Sequence, residues 1–138
     1  MSNSLFTSLE KTTIQSSTLT HTRLKAIASK FGCTEDIISR MAIGYSLKHG
    51  KCPLDFKVSR MKGDDPQEML QGKSLRGTTL FKQDAGLWVA LLANVETEIA
   101  KEDIRQAFIN HWERGIELLF HKLSEKQDWI YLLNNLLN

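Results

Sequence analysis

Apolar residues recur at helical spacing through most of the chain. Leu24, Ile27, Ala28 and Phe31 stand at i, i+3, i+4 and i+7, which lays one apolar stripe along a helix. That helix is predicted to start after Thr20 or Thr22, both good N-caps, and to stop at Gly32, where a left-handed residue is cheap. Thr34 then caps a second helix with Glu35 and Asp36 in its first turn, the stripe Ile37, Ile38, Met41, Ala42, Tyr45, and Gly50 at its end. Gly44 inside it costs about 1 kcal/mol against alanine, which fits either close approach by another backbone or a merely tolerated glycine. A third helix is predicted over 81–95, with Leu87, Trp88, Leu91, Leu92 and Val95 on its apolar face. The longest pattern runs over 101–123, where Ile104, Phe108, His111, Trp112, Gly115, Ile116, Leu119 and Leu123 keep one face. Ser124 to Gln127 then reads as a capping box for a last helix rich in leucine.

Two regions break the pattern. Residues 11–18 are rich in β-branched residues and are predicted extended or irregular. Residues 51–80 hold both prolines and several basic residues, with one short helix expected from Asp65-Pro66-Gln67-Glu68 to Gly72. The expected fold is therefore all-α: a compact multi-helix domain with an N-terminal helical hairpin and a basic loop insertion. Its divisions are a flexible or extended arm over 1–19, a helical domain over 20–123 with the insertion at 51–80, and an apolar C-terminal helix over 124–138. Burying a Leu or Ile side chain is worth about 1.5–3 kcal/mol, so that last helix needs a core or another subunit to cover it.

The 138 residues suit one domain with one substantial core. No apolar run approaches the roughly 20 residues of a membrane helix. The opening residues lack a basic region followed by an apolar core, so no secretory signal is expected and cytoplasm is the expected compartment. Net charge is +2, but residues 23–82 carry +6 and residues 83–138 carry −4. The first of these regions would attract a polyanion and the second would not.

Candidate catalytic chemistry is sparse. The four histidines include no i, i+4 pair and no HExxH, so no metal is expected. Gly72-Lys-Ser lacks the earlier glycine of a phosphate loop. No cofactor is expected either. Cys33, just before the second helix, is the one candidate nucleophile, and a helix start can favour its thiolate.

The basic residues remain. Arg23, Lys25 and Lys30 lie off the apolar face of the first helix, where they can point outward together. Lys48 and Lys51 follow the second helix, and Lys57, Arg60, Lys62, Lys73 and Arg76 lie in the insertion. Lysine predominates, no recognition-helix row of Asn, Gln or Arg is offered, and few aromatics interleave. That combination suits phosphate contact more than base reading or stacking.

The order of several segments resembles the DndE family of DNA sulfur-modification (phosphorothioation) proteins. They are Arg23-Leu24-Lys25, Phe31-Gly32, Ile37 to Leu47, Leu87 to Leu92 and His111 to Leu119, over about Thr22 to Phe120. The lysine content of the insertion and the Leu-rich tail depart from the family pattern. The resemblance implies a small, non-catalytic subunit that binds intact or nicked duplex DNA as a homo-oligomer, a tetramer by family likeness. Sulfur mobilisation and ATP use would fall to partner subunits: a cysteine desulfurase, an iron–sulfur protein and an SMC-like ATPase. Two other readings stand beside it. Cys33 could relay sulfur, or residues 11–18 and the hairpin could form a ribbon-helix-helix repressor.

Overall fold

The computed structural model describes residues 11–82 and 84–126. A short strand, β1 (Thr13–Gln15), leads into α1 (Thr18–Phe31) and α2 (Glu35–Lys48). A long irregular segment follows, then β2 (Ser74–Arg76), α3 (Gly77–Phe81), α4 (Ala85–Val95), a 3-10 turn (Lys101–Asp103) and α5 (Ile104–Lys126). β1 and β2 pair antiparallel, with Ile14 opposite Leu75. The architecture is otherwise helical, with α5 packed along α2 and against α1.

The hairpin forms much as its pattern predicts, with one shift at its start. The N-cap is Ser17, whose hydroxyl oxygen accepts from the Thr20 N–H at 3.1 Å. Glu113, carried by α5, accepts from the Ser17 N–H at 2.6 Å, from the Ser17 hydroxyl and from the Thr20 hydroxyl. A carboxylate thus sits on the positive end of α1, which begins before Thr20 and Thr22 for that reason. Gly32 ends the helix at φ 68, as expected of a left-handed cap.

Three glycines take their roles from their surroundings. Gly44 meets nothing within 4 Å at the place a Cβ would occupy, so among the described residues it is a tolerated glycine without a close approach. A close approach is found instead at Gly115 of α5, where a Cβ would stand 2.5 Å from the Ala42 carbonyl carbon and closer still to its oxygen. Gly72 closes no short helix. It lies against the Ser16 backbone, a Cβ there falling 2.7 Å from the Ser16 carbonyl carbon and nearer its oxygen.

The core gathers Leu24, Ile27, Ile38, Ile43, Phe81, Phe108, Trp112 and Ile116. Trp112 is fully buried and donates its indole N–H to the Ser39 hydroxyl at 2.9 Å. The third predicted helix is split: Lys82 takes φ 55 between Phe81 and Ala85, so α3 and α4 are separate. On α4, Leu92 is buried, but Leu87 and Leu91 are 58% and 43% exposed, so the predicted apolar face is only partly used. α5 runs through Ser124 to Lys126 without the expected break. The rest of the predicted C-terminal helix, and residues 1–10 of the arm, lie outside the described residues.

Candidate nucleic-acid interface

Between Lys51 and Lys73 the backbone forms neither helix nor strand, yet side chains of the helices fix it at nearly every step. The ties come largely from one polar stripe of α5. Gln106 donates to the side-chain oxygen of Asn110, whose own amide donates to the carbonyls of Pro53 and Leu54. One turn on, Arg114 donates to the carbonyls of Ser46, Gly50 and Lys51, tying the C-terminal end of α2 to the start of the insertion. Glu117 then accepts from the Ser59 N–H at 2.9 Å.

The far side of the insertion is held by α1. Arg23 donates to both Asp64 carboxylate oxygens at 2.8 Å, to the Ser59 carbonyl at 2.6 Å and to Glu117 at 3.3 Å. The Thr18 hydroxyl donates to Glu68, the Thr22 hydroxyl accepts from the Met69 N–H, and the His21 ring meets the Gln71 carbonyl. This explains the missing short helix at 65–72. The Glu68 carboxylate, expected to complete a capping box, is taken by Thr18 and by Arg60 at 2.6 Å. Asp65 instead accepts from the Gln67 N–H in a local turn.

These ties sort the ten predicted phosphate contacts. Arg23 is a correction: it is 1% exposed and cannot face solvent, because the insertion covers the flank of α1 that a helical wheel leaves open. Burial works against its charge, and the hydrogen bonds to Asp64 and Glu117 more than offset this, so its pKa is raised. Arg60 and Lys73 reach solvent but are paired, with Glu68 and with Glu35 at 3.0 Å. Lys25, Lys48, Lys51, Lys57, Lys62 and Arg76 are exposed and have no carboxylate partner among the described residues. Lys30 is exposed as well, in the last turn of α1.

The cations fall into three groups. Lys25 and Lys30 are on α1, beside the part of the insertion that carries Arg60 and Lys62. Lys48 and Lys51 flank the C-terminus of α2, where positive charge complements the helix dipole, and Lys57 follows them. Arg76 stands on β2 opposite Thr13, at the other end of the insertion.

A buried polar network lies beneath the loop entrance. His111 is fully buried, with Nδ1 2.8 Å from the Ser46 hydroxyl and Nε2 2.8 Å from Glu96. Glu96 also accepts from the Cys52 N–H, and Arg114 donates to the Ser46 oxygen at 2.9 Å. Serine, histidine and carboxylate stand in line, as in a nucleophilic triad. However, Ser46 is fully buried and its oxygen already receives the guanidinium, so the arrangement serves as a brace between α2, α5 and the turn after α4. Burial pushes the His111 pKa below its ordinary 6.5, against the pull of Glu96. Below about that value the unfolded chain takes up a proton that the folded chain refuses, so stability falls as pH drops. Urea midpoints at pH 7.5 and 5.5 should show this fall, and His111→Gln should reduce it. An equal fall in both proteins would mean that another group is responsible.

Cys33 is exposed, and its thiol faces the Phe31 carbonyl at 3.8 Å, with no base in hydrogen-bond reach among the described residues. Cys52 is buried, which pushes its thiol pKa up. Among the described residues no cluster of three His, Cys, Asp or Glu could hold a metal ion, and no helix is long and apolar enough to cross a membrane. The partner of β1 is β2 of the same chain, whereas a ribbon-helix-helix dimer pairs that strand with its copy. Sequence reasoning missed the anchoring roles of Asn110, Arg114 and Glu117. Their signal was a polar stripe at helical spacing beside the apolar one.

The family model described as DNA sulphur modification protein DndE matches residues 13–127 of this chain. Among solved structures, a crystal structure of DndE from Escherichia coli B7A, described as involved in DNA phosphorothioation modification, is similar with a TM-score of 0.54. The two are 20% identical, and the match covers 80% of this chain and 97% of that one, a likeness of fold. No curated protein matches.

Proposed function

Because this chain belongs to the DndE family of DNA sulphur-modification proteins, we propose that it is the subunit of a phosphorothioation system that holds DNA without itself catalysing the reaction. It grips the phosphate backbone, on intact or nicked duplex, with little regard for sequence. Lys25, Lys30, Lys48, Lys51, Lys57, Lys62 and Arg76 make the contacts, and Arg60 and Lys73 add charge at the edge. In the cytoplasm the chain works as a homo-oligomer, a tetramer by family likeness, beside the subunits that supply sulfur and use ATP.

One observation carries this reading. The insertion turns several of the nearby carboxylates inward, onto Arg23, Thr18 and the Ser59 N–H, while most of its lysines face solvent without a carboxylate partner among the described residues. A loop fixed by side-chain ties keeps these charges in place before DNA arrives, so little ordering entropy is lost on contact. Lysine is a point charge suited to phosphate, and Arg76 is the one arginine among the seven contact residues.

Affinity for a fluorescent duplex should fall steeply with salt, with a log–log slope of about −0.9 per phosphate neutralised. Lys57→Ala with Lys62→Ala should lower the slope by about 2 and weaken unrelated sequences equally. Binding that is flat between 50 and 200 mM salt would overturn the proposal. Comparing intact with nicked duplex in the same titration decides between the two forms.

A further inference from the structure

The ribbon of β1 and β2 buries one face and leaves the other polar. Ile14 and Leu75 join the core, while Thr13, Gln15, Ser74 and Arg76 are exposed. Backbone bonds from Ser16 to Lys73 and from Gly77 to Thr12 flank the pair of Thr13 with Arg76. That pair is therefore of the non-hydrogen-bonded kind, with α-carbons about 4.5 Å apart and side chains close together. Along the other edge of β1, Arg105 reaches in from the first turn of α5. Its Nη2 donates to the Thr13 carbonyl at 2.7 Å. The other N–H donors of Arg105, and the whole Arg76 guanidinium, meet no acceptor among the described residues. Glu102 and Asp103 lie in the turn before Arg105, yet neither is within ion-pair distance of it. Two exposed guanidiniums thus bracket one ribbon residue, like charges whose repulsion an anion would relieve.

We propose that Arg76 and Arg105 clamp a single phosphate group over Thr13. The planar fork of a guanidinium meets phosphate oxygens in pairs, which the point charge of a lysine does not. The carbonyl of Thr13 holds one fork in place, and the other is free to close on the anion. That the phosphate belongs to a duplex backbone rests on the DNA reading above; the clamp itself does not. On that reading the contact surface continues from the insertion onto α5, within residues 83–138, which carry −4 overall.

A duplex titrated at several salt concentrations tests the shared grip. Arg76→Gln with Arg105→Gln should lower the log–log slope by about 0.9, as for one phosphate. A fall of about 1.8 would put the two residues on separate phosphates, and an unchanged slope would put them on none. Either result overturns the clamp. Arg105→Lys keeps the charge and loses the fork, so affinity should drop about fivefold or more. Parental affinity in that variant would assign the patch to diffuse charge and overturn the clamp. Arg76→Gln alone breaks no bond of the ribbon, so a similar loss there cannot come from a loosened strand. In a measurement without DNA, inorganic pyrophosphate is titrated into the isotope-labelled full chain and followed by NMR. The Nε–H resonances of Arg76 and Arg105 should shift together and saturate. Such shifts in a protein that binds no duplex would keep the clamp and overturn the DNA reading. Their absence would overturn the clamp whatever the duplex does.

Discussion

Gly115→Ala is expected to destabilise the protein by about 3 kcal/mol, although alanine is the better helix former. The added methyl would lie 2.5 Å from the Ala42 carbonyl carbon and overlap the carbonyl oxygen. Overpacking a core usually costs about 1–3 kcal/mol, and more where the neighbour cannot move. Here the neighbour is backbone in the middle of α2, and α2 against α5 is the most extensive contact in the fold. Alanine's helix propensity returns about 1 kcal/mol of the loss. For a chain of this size the melting temperature should fall by roughly 6–12 °C. Gly44→Ala, the same change on α2, should instead stabilise by up to about 1 kcal/mol, since its site is open. Urea denaturation of the two variants in parallel gives the comparison. A Gly115→Ala protein as stable as the parent would show that the helices do not meet so closely.

The contrast between these two glycines marks where the sequence was legible. Both sit in helical patterns, and the sequence left Gly44 open between a close approach and a tolerated glycine, whereas the close approach belongs to Gly115. The hairpin was readable because Leu24, Ile27, Ala28 and Phe31 state a period and Gly32 a stop. The insertion was readable as a loop, but its folding was not. It has no period, and its order comes from α5 and α1 residues 36 to 63 positions away in sequence. Asn110, Arg114 and Glu117 do keep a period, but it runs beside the apolar stripe and looks like a solvated face until the loop is laid on it. Arg23 failed for the same reason. A helical wheel measures distance from the apolar stripe and cannot show that a loop covers the flank. The lysines were legible as charges. Which of them keep a carboxylate partner depended on the same long-range ties.

Arg23→Met should cost about 3–5 kcal/mol at neutral pH, the range found when one partner of a buried ion pair is removed. Methionine fills much of the space, so the loss lies in what remains. The Asp64 side chain is 2% exposed and would keep its charge without its guanidinium partner, and the Ser59 carbonyl would lose a donor. The pH dependence separates this cause from lost packing. In the parent, the hydrogen bond from Arg23 is the main reason that Asp64 titrates below its ordinary 3.8, against its burial. A depressed carboxylate contributes stability above its unfolded pKa and loses it as pH falls toward the folded value. In the variant, burial is opposed only by the Met61 N–H and the charge of Arg60, so Asp64 takes a proton at higher pH than in the parent, which relieves the stranded charge. The stability gap between parent and variant should therefore be widest near pH 7 and narrow steadily toward pH 3. A gap that does not change with pH would assign the whole effect to packing. The same variant tests where the DNA contacts lie. Under conditions where it stays folded, its salt slope for DNA should match the parent's, because a buried guanidinium neutralises no phosphate. A slope reduced by about 0.9 would return Arg23 to the contact surface and require the insertion to lift away from α1 when DNA binds.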